Sequence, residues 1–151
     1  IPVGCISGCS SATYDSTGAM DGVDEIQAGT YATMDRQYFR LAPEFEIALS
    51  ILVRVISRPV AGKAVIDIGV KGVGSEFGPP MLRDFPETDI ASFLSEEHGV
   101  IQNTPDWRIG QLLHLIPSHA CTTCNLHREI VVHENGRVVD VWPIEASGRL
   151  S

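Results

Sequence analysis

The sequence has no apolar run near the roughly 20 residues a bilayer-spanning helix needs; its best stretch, ALSILVRVIS, is interrupted by Arg54. It has no basic run either. Nineteen Asp and Glu outnumber eleven Lys and Arg, for a formal charge of −8. A nucleic-acid partner would call for the opposite balance, because clustered cations drive binding to a phosphate backbone. Lysine is scarce, at Lys63 and Lys71 only. Cysteine is held to four, with no secretion signal ahead of it. A chain of 151 residues, 44% hydrophobic, can bury one core without disulfide staples. Reduced thiols, a cytoplasmic location and no membrane partner are therefore expected. There is no initial methionine: the chain opens in mid-pattern on IPVGCIS, as expected of a piece cut or processed from a longer protein.

What is present is largely β in pattern. IPVGCIS reads as a buried strand before a long turn, and VDEIQAGTYATMD as a short extended segment with a bulge or bend at Gly29. Across residues 44–58, Phe45, Ile47, Leu49, Ile51, Val53 and Val55 recur at period 2, which predicts a long strand ending at Pro59. KAVIDIG is its partner across an AGK turn, and the Gly- and Pro-rich residues 72–89 read as loop. DIASFLSEEHGVI and IGQLLHLIP supply further strands. REIVVH and RVVDVWPI flank Asn135-Gly136, a strong hairpin signal because a type I′ turn needs positive φ at both central residues. The expected fold is mostly β, a barrel-like sandwich with an irregular first third.

Three constellations carry candidate chemistry. His119, Cys121, Cys124 and His127 lie close together, and in an extended segment His119 and Cys121 would share one strand face about 7 Å apart. That pair suits zinc. A Cys-x-x-Cys redox pair and plain core thiols are the competing readings, the redox one lacking a helix-N-terminal context. SGCSSAT, residues 7–13, offers small residues and hydroxyls after a strand, as a phosphate loop would, or is an ordinary loop. SEEHG, residues 95–99, brings two carboxylates to an imidazole for acid–base work, or is an exposed acidic turn.

Taken in order, these segments resemble the C-terminal part of the D-serine dehydratase and D-threonine aldolase family, pyridoxal-phosphate enzymes with an alanine racemase-like fold. SGCSSATYD resembles the family's glycine-rich phosphate loop and EIQAGTYATMD its Glu-x-x-x-Gly-x-Tyr segment. ILVRVISRP, AVIDIGVK and LSEEHG follow in family order, IPSHACTTCNL resembles the metal-binding stretch, and NGRVVDVWPIEASGR closes the pattern. The resemblance implies that residues 1–40 end a (β/α)8 barrel otherwise absent from this chain, and that residues 41–151 form the C-terminal β domain. It implies His119 and Cys121 as ligands of a divalent metal, zinc before manganese. Gly8, Ser10, Ser11 and Thr13, with the loop backbone through Ala12, would hold the cofactor phosphate. Tyr31 and His98 match motif positions in the catalytic region, and Asp67 and Lys71 a further segment without an assigned role. Cys9, Ser10 and Ala12 stand where the family commonly has glycine, and Cys124 is a thiol the motif does not call for.

The implied activity is that of a lyase on D-β-hydroxy amino acids. Dehydration of D-serine would give pyruvate and ammonia, and retro-aldol cleavage of D-threonine would give glycine and acetaldehyde. His-x-Cys places the dehydratase outcome first. Neither Lys63 nor Lys71 matches the family's Schiff-base position, so the isolated chain is expected to be inactive and to need the missing barrel, in a homodimer. The rival expectation is a free-standing β module with a structural zinc held by His119, Cys121, Cys124 and His127.

Overall fold

Within IPVGCIS, expected as a buried strand, residues 3–7 are exposed, with Val3 and Ile6 facing solvent, and pairing begins only at β1 (Ser7–Gly8); Ile1 and Pro2 lie outside the described residues. The computed structural model describes residues 3–90 and 94–149. After β1 comes a short helix, α1 (Tyr14–Gly18), and then β2 (Glu25–Ile26), which pairs in parallel with β1. At Gly29, where a bulge or bend is expected, the chain turns into a 3-10 helix, Thr30–Ala32. Helix α2 (Arg36–Leu41) follows, N-capped by Asp35, whose side chain accepts from the Tyr38 N–H.

The long strand expected over residues 44–58 is shorter. β3 spans Ile51–Ser57, with Val53 and Val55 fully buried and Leu52, Arg54 and Ile56 turned outward. Residues 45–49 keep alternating between half-buried and exposed but join no ladder, since the Ala48 and Leu49 N–H groups both donate to the Thr33 carbonyl. A single backbone oxygen replaces the strand partner there. β4 (Lys63–Ile66) pairs antiparallel with β3 as expected, and Asp67 closes that pairing, its carboxylate accepting from the Arg54 N–H at 2.7 Å.

The segment read as loop over residues 72–89 contains β5 (Met81–Leu82), and Asp89 opens β6 (Asp89–Ile90). β7 (Gly99–Gln102) and β8 (Leu112–Ile116) complete a six-stranded antiparallel sheet in the order β5-β8-β3-β4-β7-β6. Its two outermost strands are joined by residues 83–88, and the sheet curls into a nearly closed barrel. Ala64, Ile66, Leu82, Ile101, Leu113 and Leu115 fill it with Val53 and Val55. Each fully buried aliphatic side chain contributes about 1.5–3 kcal/mol.

β8 leads into α3 (Ala120–Asn125), and the chain ends in a separate hairpin of β9 (Glu129–Glu134) and β10 (Arg137–Pro143). Asn135 (φ 50°) and Gly136 (φ 76°) have the positive dihedrals of the expected type I′ turn. No helix among the described residues is long and apolar enough to cross a membrane.

Candidate functional site

The expectation that His119 and Cys121 share a strand face is overturned. His119 is the extended N-cap residue of α3, and Cys121 lies in the first helical turn. The Cys-x-x-Cys pair therefore does open a helix, contrary to expectation. The reason is local: His119 uses its carbonyl, which accepts from the Thr123 hydroxyl at 2.7 Å, and its side chain caps nothing. The free helical N–H of Ala120 is satisfied from outside, by the fully buried Asp35 carboxylate at 2.9 Å. The other oxygen of Asp35 accepts from Tyr38 N–H at 2.8 Å. One carboxylate thus caps α2 and α3 together and sets the backbone between His119 and Cys121.

Gly74 clamps the other side. Its carbonyl accepts from the buried Ser118 hydroxyl and its N–H donates to the Thr123 hydroxyl, each at 3.0 Å. A Cβ at Gly74 would stand 2.4 Å from the Thr122 hydroxyl oxygen, so only glycine permits this approach. The clamp delivers Glu76 to the imidazole: Glu76 Oε1 lies 2.6 Å from His119 Nδ1 and also accepts from the Thr122 hydroxyl. Burial pushes the Glu76 carboxyl up, but the Thr122 hydroxyl, its own backbone N–H and His119 outweigh that and hold it below the usual carboxylate range. The His119 ring also packs on Phe77, centroids 4.7 Å apart.

A carboxylate on Nδ1 fixes the proton there and leaves the Nε2 lone pair available, the arrangement that orients metal-binding histidines. With the exposed Cys121 thiol, the donor set fits half of a zinc-type site; among the described residues no cluster of three or more metal-ligating side chains forms. The four-residue set of the rival reading is not assembled. His127 is spent elsewhere, its Nε2 donating to the Gly72 carbonyl at 2.7 Å. Cys124 is half-buried, and burial first, then the neighbouring Cys121 thiol, raise its pKa and keep it protonated. No cysteine is in a disulfide.

The loop of residues 8–13 faces this helix across a cavity of about 420 Å³, lined by Cys9, Ser10, Ser11 and Tyr38 on one side and Cys121 and Cys124 on the other. Two sequence-predicted groups far apart in the chain thus share one space. Within the loop, Ser10 Oγ accepts from Ala12 N–H, Thr13 Oγ1 from Ser10 N–H, and the buried Ser11 Oγ from Tyr31 N–H. The Ser10 and Thr13 hydroxyls also bond each other at 3.4 Å, which engages one of their two O–H groups; the other, with the Ser11 O–H, is left to donate, which suits an anion such as a phosphate. Cys9 sits at φ 92°, where glycine is favoured. Cys9→Gly is expected to leave the fold intact and raise stability by about 0.5–1 kcal/mol, read as a slightly higher Tm; a lower Tm would contradict the strain.

Tyr31 is tied in through its backbone, and its ring leans on Phe45, which Tyr14 also meets edge-on. His98 lies elsewhere, exposed on the turn between β6 and β7, where its carbonyl accepts from Ser95 N–H. Lys71 pairs with Glu97 on that turn at 2.9 Å, and this contact raises the lysine pKa. Neither lysine lines the cavity. The residues that sequence reading missed are Asp35, whose signal was an N-cap Asp before RQYF, and Glu76, which no local pattern marks.

An antiparallel β-barrel followed by a helix start that bears a carboxylate-oriented histidine and a thiol sharing a cavity with a hydroxyl-rich loop is the class that fold and site define. A family model described as "Putative serine dehydratase domain" matches residues 48–133, and the chain belongs to that family. It is 37% identical over 149 residues to the D-threonine aldolase of Arthrobacter sp, covering 93% of this chain and 38% of that protein. The crystal structure of D-threonine aldolase from Filomicrobium marinum superposes with a TM-score of 0.93 at 28% identity, covering 100% of this chain and 43% of that one. D-threo-3-hydroxyaspartate dehydratase from Delftia sp. HT23 gives a TM-score of 0.77 at 25% identity, over 95% and 44%. The chain spans about two-fifths of the length of these relatives and corresponds to their C-terminal part.

Proposed function

We propose that this chain is the C-terminal portion of a pyridoxal-phosphate and divalent-metal-dependent lyase acting on D-β-hydroxy amino acids. Residues 1–40 would complete a cofactor-binding (β/α)8 barrel supplied by an upstream segment, which would cover the exposed Val3 and Ile6. The observation that carries the reading is the cavity shared by the loop of residues 9–11 and Cys121, with His119, two positions before Cys121, oriented by Glu76. The location expected is cytoplasmic, consistent with free thiols.

Bound there, pyridoxal phosphate supplies an electron sink for a carbanion at the substrate's α-carbon, and the metal a Lewis acid for its β-oxygen. Ser10, Ser11 and Thr13 would hold the phosphate with their O–H groups. His119 Nε2 and Cys121 Sγ would hold the metal, zinc before manganese. Glu76 keeps the imidazole proton on Nδ1, and Asp35 keeps the two ligands on one rigid helix start. A D-threo-3-hydroxyaspartate dehydratase has been solved with alanine in place of a histidine and, in a metal-free form, in place of a cysteine two positions further on. The His119–Cys121 spacing equals that interval, which supports these two residues as the pair that would hold the metal.

Incubated with pyridoxal phosphate, this chain alone should form no saturable, borohydride-reducible lysine adduct, since Lys63 and Lys71 do not face the cavity. Joined to its upstream segment, it should release pyruvate and ammonia from D-serine, or glycine and acetaldehyde from D-threonine. A joined protein active on neither would refute the proposal.

A further inference from the structure

Helix α2 separates two cavities: Tyr38 lines the one described above, while Arg36, Phe39 and Arg40 line a second, of about 650 Å³, closed by the segment around β5 and β6. Arg83 joins them there, so three of the chain's nine arginines meet in one cleft. The only acidic residue lining it is Asp89, whose carboxylate accepts from the Asn103 amide. None of the three arginines is ion-paired among the described residues, although the chain carries a formal charge of −8.

Each arginine has a local use: Arg36 Nη1 donates to the Pro79 carbonyl at 2.6 Å, Arg83 Nη2 to the Ile47 carbonyl at 3.4 Å, and Arg40 sits in the last turn of α2. Those uses leave most of their N–H groups free and do not neutralise the charge. Arg36 and Arg40 are four apart on one helix, a repulsive spacing for like charges. Burial and the neighbouring Arg40 both disfavour the charged form of Arg36.

We infer that this cleft is a binding site for a small oxyanion, a carboxylate or phosphate group carried on a short apolar body. The guanidinium groups present planar donor edges suited to such a group, and Phe39 and three prolines supply apolar wall. The volume suits a metabolite-sized ligand. The site stands apart from the lyase reading and does not depend on it. Its position on α2 gives it a route to the first cavity, because the Asp35 cap of that helix also holds α3.

The test titrates this chain with inorganic phosphate and with succinate, at an ionic strength held constant with sodium chloride, and follows backbone amides by NMR. Saturable shifts confined to residues 36–40 and 81–90 are expected, and a preference for one anion identifies the headgroup. Arg40→Gln and Arg83→Gln should each weaken binding by about tenfold or more with melting unchanged; Arg36 is left alone because it also holds Pro79. Shifts that fail to saturate, variants that bind like the parent, or a longer protein that binds neither anion would overturn the inference.

Discussion

Asp35→Ala is expected to destabilise the chain by about 2–5 kcal/mol, from a buried Ala120 N–H left without an acceptor and the lost N-cap bond to the half-buried Tyr38 N–H. For a chain of this length that is a fall of roughly 5–15 °C in Tm, measured by circular dichroism. The carboxylate is fully buried, its two oxygens serve Tyr38 N–H and Ala120 N–H, and those donors belong to two different helices, Ala120 lying 85 positions from Asp35 in the chain. The Ala120 bond is buried and the Tyr38 bond half-buried, so the Ala120 N–H carries the larger share of the loss. Asp35→Asn separates the two parts of the effect. Its amide oxygen can serve one donor, but its NH2 then confronts the other N–H, so a loss between parent and alanine variant is expected. If Asp35→Ala melted within a degree of the parent, the two helix starts would not depend on this residue.

The barrel was legible in the sequence to the extent that it rests on alternation and turn chemistry. Val53 and Val55 at period 2 mark β3, and Asn135-Gly136 marks the last hairpin, because both signals are local. Alternation failed where something other than a strand satisfied the backbone, as at Ala48 and Leu49 on the Thr33 carbonyl. It failed again at β5 and β6, two-residue strands that exist only because β8 and β7 offer edges. HACTTCNL carries one local helix signal, the Thr123 hydroxyl on the His119 carbonyl, and the other support of its helix start comes from Asp35, 85 positions from Ala120, where no local pattern shows it. The same distance hid Glu76, which becomes meaningful only when the Gly74 clamp sets it on His119. The individual site residues were legible mainly through the ordered family pattern, and their partners only through the fold.

The second large effect concerns the two thiols of α3, which the structure treats unequally. In the longer protein carrying its upstream segment, Cys121→Ser is expected to lose zinc and activity beyond the roughly 10–100-fold cost typical of removing an outer partner. Cys124→Ser should stay within a few-fold of the parent, because that thiol is half-buried and burial raises its pKa, which disfavours the thiolate a metal needs. Glu76→Gln should fall between them, at about 10–100-fold weaker zinc binding, since the neutral amide still meets Nδ1 but no longer makes the imidazole a stronger donor. His127→Ala should lower Tm through the lost bond to the Gly72 carbonyl while zinc affinity holds. Competition with a chromogenic chelator reads zinc affinity, and product release from D-serine and D-threonine reads activity. The structural-zinc rival predicts a different order, with Cys124 and His127 as costly to remove as Cys121. Equal losses across all four positions would therefore favour a closed structural site over one with coordination positions left for substrate.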